Sequence, residues 1–224
     1  MPKYYDLHVH SHPEGADAPD KLVSMAKRYG YAGIVIANHS DHWNEFVGAI
    51  SGVEIVATRT AELKKKIEEY RPKVEMLLVH GGDAKINRAA VEDPRVDILA
   101  HPIGRNNEFN HILAKLAAKN DVAIEFNMNA LIHLRGNPRI YALSDFQHNL
   151  KLARKYDVPI ILASNAMSCY GLRAPKEMIA LASLFGMSEE EAILALSTTP
   201  MKIIETNRKR KSPEYVIEGV EIVK

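Results

Sequence analysis

Two histidines near the start of the chain give the first indication of chemistry. The run Asp6-Leu7-His8-Val9-His10 alternates along the backbone, so a short strand would place both imidazoles on one face. Two imidazoles on one face can share a divalent cation, and the polar residues 11–15 that follow leave room for a ligand. The competing interpretation is a surface strand with chance histidines, because this spacing is common.

Further polar residues stand at or near the ends of other predicted strands: His39, Glu54, His80 and His101. In a barrel of parallel strands, the C-terminal strand ends meet at one rim, so residues far apart in sequence become neighbours. Imidazoles combined with a carboxylate suit borderline divalent ions such as zinc or manganese. The set predicts a metal centre at the rim.

Strand-like and amphipathic segments alternate along the chain, as in a (β/α) barrel. Helical periodicity marks residues 20–29, 60–70, 109–119 and 144–156, and the strand-like runs lie near 4–9, 33–37, 53–57, 75–79, 96–100, 122–127 and 159–163. Two more helices are predicted at 175–185 and 189–197, the second opened by a capping box of Ser188 and Glu191, and a third, short helix follows Pro200. We therefore predict an α/β protein, a single TIM-like barrel of about seven strands spanning 1–224, with a basic run and a strand-like tail at 208–224.

Composition is consistent with one domain. A chain of 224 residues with 46% hydrophobic content can bury one large core. We find no signal peptide and no apolar run long enough to cross a bilayer, and the single cysteine, Cys169, cannot form an internal disulfide. These features predict a cytoplasmic protein. Cys169 is either a nucleophile or, as we favour, a small inert thiol, since no Cys-His signature surrounds it.

The rim motifs resemble the polymerase and histidinol phosphatase (PHP) superfamily over nearly the whole chain. The matching stretches are Asp6-x-His8-x-His10, the strand ending in His39, Gly52-Val53-Glu54, His80, Ala100-His101-Pro102 and Glu125-Phe126-Asn127. The resemblance implies a distorted TIM barrel that holds up to three metal ions and cleaves phosphate esters. It places His8, His10, His39, Glu54, His80 and His101 at ligand positions.

The chain departs from the superfamily at two of its motifs. The superfamily's last strand usually ends in Ser-Asp-x-His, whereas this chain has Ser164-Asn165-Ala166-Met167, and Asn38 replaces the aspartate before His39. Asparagine and methionine bind hard or borderline cations less well than carboxylate and imidazole. We expect either one residual zinc or manganese ion, held through Glu54, His80 and His101, or a vestigial cluster joined by hydrogen bonds.

Three longer stretches, residues 79–92, 96–102 and 173–178, resemble the family of archaeal ribonuclease P protein component 3. That resemblance implies a protein subunit of an RNA enzyme that removes the 5′ leader from precursor tRNA. Catalysis would belong to the RNA and its bound magnesium, with no catalytic residue and no required cofactor in this chain. The implied partners are ribonuclease P RNA, precursor tRNA indirectly, component 2 and the other protein subunits, with no membrane.

The distribution of charge bears on RNA contact more than the total does. A net charge of +1 creates no global attraction for RNA. Several cations fall in predicted loops or helix starts after strands, and these are the predicted RNA-binding residues: Lys85, Arg88, Arg105, Arg135, Arg173, Lys176 and Lys202. Arg173 and Lys176 are favoured, since Lys176 opens a helix whose first turn attracts anions. The alternative for each is a solvated surface charge.

Two further features leave their role open. The basic run 208–211 is either an RNA contact or a solvated linker. Tyr170, Tyr141 and Trp43 are either stacking platforms for bases or packing residues. Because no single-strand RNA-recognition signature is present, backbone and shape contacts are expected rather than base reading.

Two enzymatic alternatives compete with the subunit. The first is a working metal-dependent PHP phosphoesterase acting on a small phosphorylated metabolite or a nucleotide, which Asn165 and Met167 oppose. The second is an amidohydrolase-type barrel, which needs an aspartate at its last strand and usually a bridging lysine, neither of which is evident. Stoichiometric metal and turnover of phosphate esters would favour the phosphoesterase. Co-purification of RNA or protein would favour the subunit.

Overall fold

Seven parallel strands form the centre of the molecule. The computed structural model describes residues 2–46, 48–104, 109–212, 215–217 and 220–221. The strands are β1 Tyr4–Val9, β2 Tyr31–Ile36, β3 Ile50–Ile55, β4 Met76–His80, β5 Ile98–Ala100, β6 Ala123–Asn127 and β7 Ile160–Ala163. They pair in chain order and in parallel, as the alternating segments predicted.

The sheet closes on itself at the seam between β1 and β7. Val9 and Ala166 form a parallel bridge there, and the His10 amide donates to the Ala166 carbonyl at 2.9 Å. The buried Asp6 carboxylate accepts from the Ser164 amide, at 3.2 and 3.3 Å from its two oxygens. The closure confirms a single TIM-like barrel of seven strands.

Nine α-helices lie among the described residues. They are α1 Pro19–Arg28, α2 Thr60–Tyr70, α3 Ala84–Glu92, α4 His111–Lys119, α5 Met128–His133, α6 Asn137–Tyr156, α7 Pro175–Ala182, α8 Glu189–Leu196 and α9 Thr198–Arg210. Short 3₁₀ turns cover Ser40–His42 and Ser183–Phe185. The predicted capping box is present at α8, where the Ser188 hydroxyl accepts from the Glu191 amide and the Glu191 carboxylate accepts from the Ser188 amide.

Two apolar layers hold the barrel. Leu7, Val35, Leu78 and Ile161 are buried in the interior cluster, together with Ile204 of α9. α9 therefore crosses the N-terminal end of the barrel and closes it. The larger outer cluster lies between the strands and the surrounding helices.

Two helices differ from their predicted extents. α6 begins at Asn137 rather than near residue 144, because its first turns expose Ile140 and Tyr141 and so lack the apolar periodicity that marks a helix. α9 is not short: it runs to Arg210, with Pro200 buried in its first turn, where a missing N–H costs nothing. The linker interpretation of 208–211 is wrong for its first three residues, which are helical.

The last strands form a separate hairpin. Tyr215–Ile217 (β8) and Val220–Glu221 (β9) pair antiparallel, so the strand-like tail predicted for the end of the chain is a two-stranded unit outside the barrel. Among the described helices, none combines the length and apolar character needed to span a bilayer. Cys169 is buried, which supports the inert thiol over the nucleophile.

Candidate metal centre

Glu54 of β3 stands at the middle of the rim and draws four histidines together. Its carboxylate is fully buried. Oε1 lies 2.8 Å from His80 Nδ1 and 2.9 Å from His101 Nε2. Oε2 lies 3.0 Å from His39 Nε2 and 3.3 Å from His8 Nε2. Because these side chains follow neighbouring parallel strands, the barrel brings them together, as the strand-end positions predicted.

A second carboxylate, Glu14, joins the centre from the loop after β1. Its Oε2 lies 3.2 Å from His10 Nδ1 and accepts from the His39 amide at 2.8 Å, and its Oε1 contacts His39 Nδ1. His10 Nε2 is 3.8 Å from Glu54 Oε2. Sequence reasoning missed Glu14 because it follows no strand directly, although an acid four residues after His10 was a usable signal.

A third carboxylate, Glu125 of β6, supports His8 from within the barrel. It is buried, and its Oε2 lies 2.9 Å from His8 Nδ1. The PHP resemblance covered this strand, but Glu125 was not among the predicted ligands. A glutamate inside the otherwise apolar run 122–126 was the signal, since a buried carboxylate needs a partner.

The orientation of His101 follows from its neighbours rather than from a metal. Asn127 Oδ1 accepts from the Asn129 amide at 2.9 Å, which turns the Asn127 amide nitrogen toward His101 Nδ1 at 2.8 Å. Asn165 Nδ2 lies 3.3 Å from the same nitrogen. Since His101 Nδ1 accepts, the ring proton of the neutral tautomer lies on Nε2 and points to Glu54. In this tautomer Nε2 has no lone pair to offer a metal ion.

The two sequence departures have distinct structural roles. Asn38 is buried and turned away from Glu54: its Oδ1 accepts from the Ser11 amide at 2.8 Å, and its Nδ2 donates to the Ser11 carbonyl at 3.1 Å. An aspartate could not make the second bond. Asn165 contacts His101 instead of offering a carboxylate, and Met167 is half-exposed at the edge of the rim.

Electrostatics within the centre favours charged pairs. Burial raises the pKa of Glu54, but the charge of His8 and contacts with His101 and His39 outweigh it and hold that pKa well below the usual value. Burial lowers the pKa of His8, yet Glu125 and Glu54 raise it well above its usual value. The contact with Glu54 also raises the pKa of His39, whereas burial lowers the pKa of His10. The neighbouring carboxylates therefore favour the protonated forms of His8 and His39.

The donor atoms of the centre fit a divalent ion. Two groups of three residues each place their ligand atoms within 4.8 Å of one another. The first group is His8, Glu54 and His101, and the second is His39, Glu54 and His80. His8 Nε2, His39 Nε2 and Glu54 Oε2 are buried and make no hydrogen bond, although they face one another at close range. In the neutral histidines these converging nitrogens offer lone pairs to a shared cation, whereas in the protonated histidines their N–H groups face the carboxylate. The second group fits better, because the tautomer of His101 works against the first.

The predicted RNA-binding cations are scattered rather than clustered at the rim. Lys85 and Arg88 lie on α3 and Lys176 in the first turn of α7, all exposed, with Arg88 Nε 2.8 Å from Glu92 Oε1. The guanidinium of Arg135 donates to the Ile132 and Leu134 carbonyls. That of Arg173 donates to the Tyr170 and Leu172 carbonyls at 2.7 and 2.8 Å. Arg105 lies outside the described residues.

Lys202 does not follow a strand, as was predicted for it, because α9 follows α8. Its Nζ lies 3.7 Å from Asp121, which precedes β6, so Lys202 belongs to the N-terminal end of the barrel. The cause is α9, which crosses that end instead of following a strand out of the rim. Of the aromatic candidates, Trp43 packs edge-on against Tyr70 at 5.8 Å between ring centres, while Tyr170 and Tyr141 are exposed.

Comparison with known proteins gives one family over almost the full length. The profile of the RNase P subunit p30 family matches residues 3–212. Ribonuclease P protein component 3 of Methanococcoides burtonii is 49% identical, over 98% of this chain and 93% of the relative.

Solved structures agree with the sequence match and with the PHP-like fold. A chain in the cryo-EM structure of archaeal ribonuclease P with mature tRNA superposes with a TM-score of 0.82 and 28% identity, over 97% of this chain and 98% of that chain. Histidinol phosphate phosphatase of Lactococcus lactis, solved with zinc, L-histidinol and phosphate, superposes with a TM-score of 0.52 and 12% identity. The superposition covers 92% of this chain and 94% of that chain. At that identity the second likeness concerns the fold alone.

Proposed function

The chain belongs to the RNase P subunit p30 family, and we propose that it serves archaeal ribonuclease P as a protein subunit that supports removal of the 5′ leader from precursor tRNA. The observation that carries this function is a match across residues 3–212, together with a relative 49% identical over 98% of the chain. Leader cleavage is carried out by the complex of RNA and proteins, not by this chain alone. The partners of the chain are ribonuclease P RNA and the other protein subunits.

The geometry of the rim supports a subunit over a phosphoesterase. A multi-metal phosphoesterase needs several ligands with free lone pairs and an open coordination position. Here His101 is committed to Asn127 and Glu54, and Asn165 supplies an amide where a carboxylate would bind. The other nitrogen of His8, Nδ1, lies 2.9 Å from Glu125 Oε2 and is therefore already engaged by a carboxylate. The centre therefore lacks the full ligand set of a catalytic site.

For the same centre we propose one residual divalent ion, zinc or manganese, held by His39, Glu54 and His80 with His8 and His10 beside it. When bound, the ion would supply cross-linking of the strand ends and not chemistry on the RNA. The chain itself requires no cofactor for leader cleavage, for which magnesium is bound by the RNA.

The remaining partners and the location follow from the same proposal. We propose that component 2 binds this chain directly, that precursor tRNA is contacted through the RNA, and that Lys85, Arg88, Arg105, Arg135, Arg173 and Lys176 contribute RNA contacts. The work takes place in the cytoplasm, where a single buried cysteine needs no disulfide partner.

The first test is leader cleavage of a precursor tRNA by the cognate ribonuclease P RNA and the other protein subunits at limiting magnesium, with and without this chain. We expect stimulation that requires the RNA and survives Glu54→Gln, since that glutamate is not catalytic. Absence of stimulation by the correctly folded chain, or turnover of phosphate monoesters by the chain alone that Glu54→Gln abolishes, would overturn the proposal.

A further inference from the structure

The N-terminal end of the barrel carries a groove that the rim-centred prediction did not include. Two adjoining cavities, of about 240 and 440 Å³, share Pro94, Asn207 and Arg210 and lie between α9 and the loops that precede β4 to β7. We call this the base groove and define it by the five cations that line it: Arg71, Arg95, Lys202, Arg210 and Lys211.

α9 presents a polar stripe to the base groove. Lys202, Thr206 and Arg210 follow one another at intervals of four residues, so they share one face of the helix over about 12 Å. Ile204, on a different face, is buried in the barrel interior. The packing of Ile204 therefore fixes which side of α9 points outward.

The cations of the base groove outnumber its carboxylates. Asp97 and Asp121 are the acids among the lining residues. Asp97 is buried and already bound, by Arg71 Nη1 at 2.7 Å and by Asn207 Nδ2 at 2.8 Å. Asp121 lies 3.7 Å from Lys202 Nζ, and both side chains are about 70% exposed, so this pair is weak.

Within the described ranges, two of the five cations have no anionic partner. Arg71 is held by Asp97 and by backbone carbonyls, and Arg95 by a bidentate pair with Asp93. Arg210 and Lys211 are exposed and make no ion pair within the part of the chain that the structure describes. Their charges are available to a ligand.

The C-terminal rim is a poorer site for a phosphate group than the base groove. Glu14, Glu54 and Glu125 converge there, and each lies within hydrogen-bond distance of a histidine nitrogen. The neighbouring histidine nitrogens face these carboxylates, so a phosphate group at the rim would have to displace contacts that are already made. The guanidinium groups of Arg135 and Arg173 are also bound to carbonyls of their own loops.

We propose that the base groove binds the phosphate backbone of ribonuclease P RNA, with Lys202, Arg210 and Lys211 on phosphates and the α9 hydroxyls as further donors. This inference rests on the proposed function, which supplies the RNA. It locates the principal RNA contact at the end of the barrel opposite the histidine centre. Exposed cations and hydroxyls in a groove, without an aromatic platform, suit backbone contact rather than base reading.

The test compares two matched pairs of adjacent, exposed cations, each at a helix end. Arg210→Ala/Lys211→Ala alters the base groove, and Lys27→Ala/Arg28→Ala, at the end of α1, is the control. Binding of the full chain with its partner subunits to labelled ribonuclease P RNA is measured over a series of salt concentrations. For the base-groove variant, we expect the slope of log binding constant against log salt concentration to be shallower by about 2. We also expect its RNA affinity to be about tenfold weaker at low salt. Lys202→Ala alone is expected to reduce the slope by about 1.

The outcomes separate the groove from the function. The proposal would be overturned if both double variants lost RNA affinity equally. It would also be overturned if the base-groove variant, with normal thermal unfolding, kept its RNA affinity, or if that variant lost binding to the partner subunits while its RNA affinity stayed intact. The last result would assign the groove to an acidic protein surface. Wild-type chain that neither binds RNA nor stimulates leader cleavage would instead refute the proposed function itself.

Discussion

At the scale of single residues, Glu54 decides the character of the rim. Its two carboxylate oxygens lie 2.8 to 3.3 Å from four imidazole nitrogens. The side chain is fully buried, so water does not solvate its charge. A buried carboxylate is tolerated only when paired, so protons on His8 and His39 or a metal ion must balance it. Proton and metal therefore compete for the same lone pairs.

That competition predicts a pH-dependent affinity for zinc. The contact with Glu54 outweighs burial and raises the pKa of His39, a proposed ligand, so His39 must lose its proton before its nitrogen can accept an ion. Zinc binding is expected to release about one proton at neutral pH and to weaken as the pH falls. Calorimetry in two buffers of different ionisation enthalpy measures the proton count. Glu54→Gln should abolish binding, and zinc affinity independent of pH would contradict the prediction.

At the scale of elements, the seam between β1 and β7 depends on one buried acid. Asp6 accepts from the His8 and Ser164 amides, yet burial outweighs these bonds and raises its pKa to about 6 from a normal value of 3.8. A carboxyl whose pKa is higher in the folded state binds protons more tightly there. Its favourable contribution is present below pH 3.8 and is lost as the pH rises through 6.

Asp6→Asn tests the seam directly. The amide keeps an acceptor for the Ser164 N–H but carries no charge, so the cost of the buried charge at high pH disappears. Between about pH 4 and pH 8, the free energy of unfolding of the variant, relative to that of the wild type, should rise by about 2.4 kcal/mol. Urea unfolding at both pH values measures the shift, and a difference that does not change with pH would refute the assignment.

At the scale of the whole molecule, the barrel has two chemically different ends. Among the described residues, carboxylates and histidines gather at the C-terminal rim, and five cations line the base groove, so a net charge of +1 conceals an uneven distribution of charge. α9 creates this asymmetry because it closes the interior with Ile204 and carries Lys202 and Arg210 on its outer side.

The closing role of α9 predicts a stability effect. Ile204→Ala removes a 3% exposed side chain from the interior cluster and is expected to destabilise the fold by roughly 2–5 kcal/mol. Ile112→Ala is the matched control, since Ile112 is 48% exposed on α4 and should cost only about 0.5 kcal/mol. Equal effects of the two substitutions in chemical denaturation would show that α9 does not close the barrel.

Local patterns in the sequence were enough for the barrel and for most of its rim. Alternation and turn residues marked all seven strands, and strand-end positions brought His8, His39, Glu54, His80 and His101 together, because parallel strands must end at one rim. Capping at Ser188 was equally readable, since a helix start depends on its own few residues. The match to residues 79–92 and 173–178 identified the family for the same reason: it is a property of the chain alone.

Only the tertiary structure decided how those parts face one another. The partners of two carboxylates lie far away in sequence: Glu14 accepts from the His39 amide, 25 residues away, and Glu125 contacts His8, 117 residues away. Asn127 fixes the tautomer of His101 from another strand. Lys202 lies at the opposite end from the rim because α9 packs Ile204 into the barrel instead of emerging beside a strand end. Long-range packing sets the direction of a helix and the partner of a buried polar atom, and neither follows from the residues on either side of it.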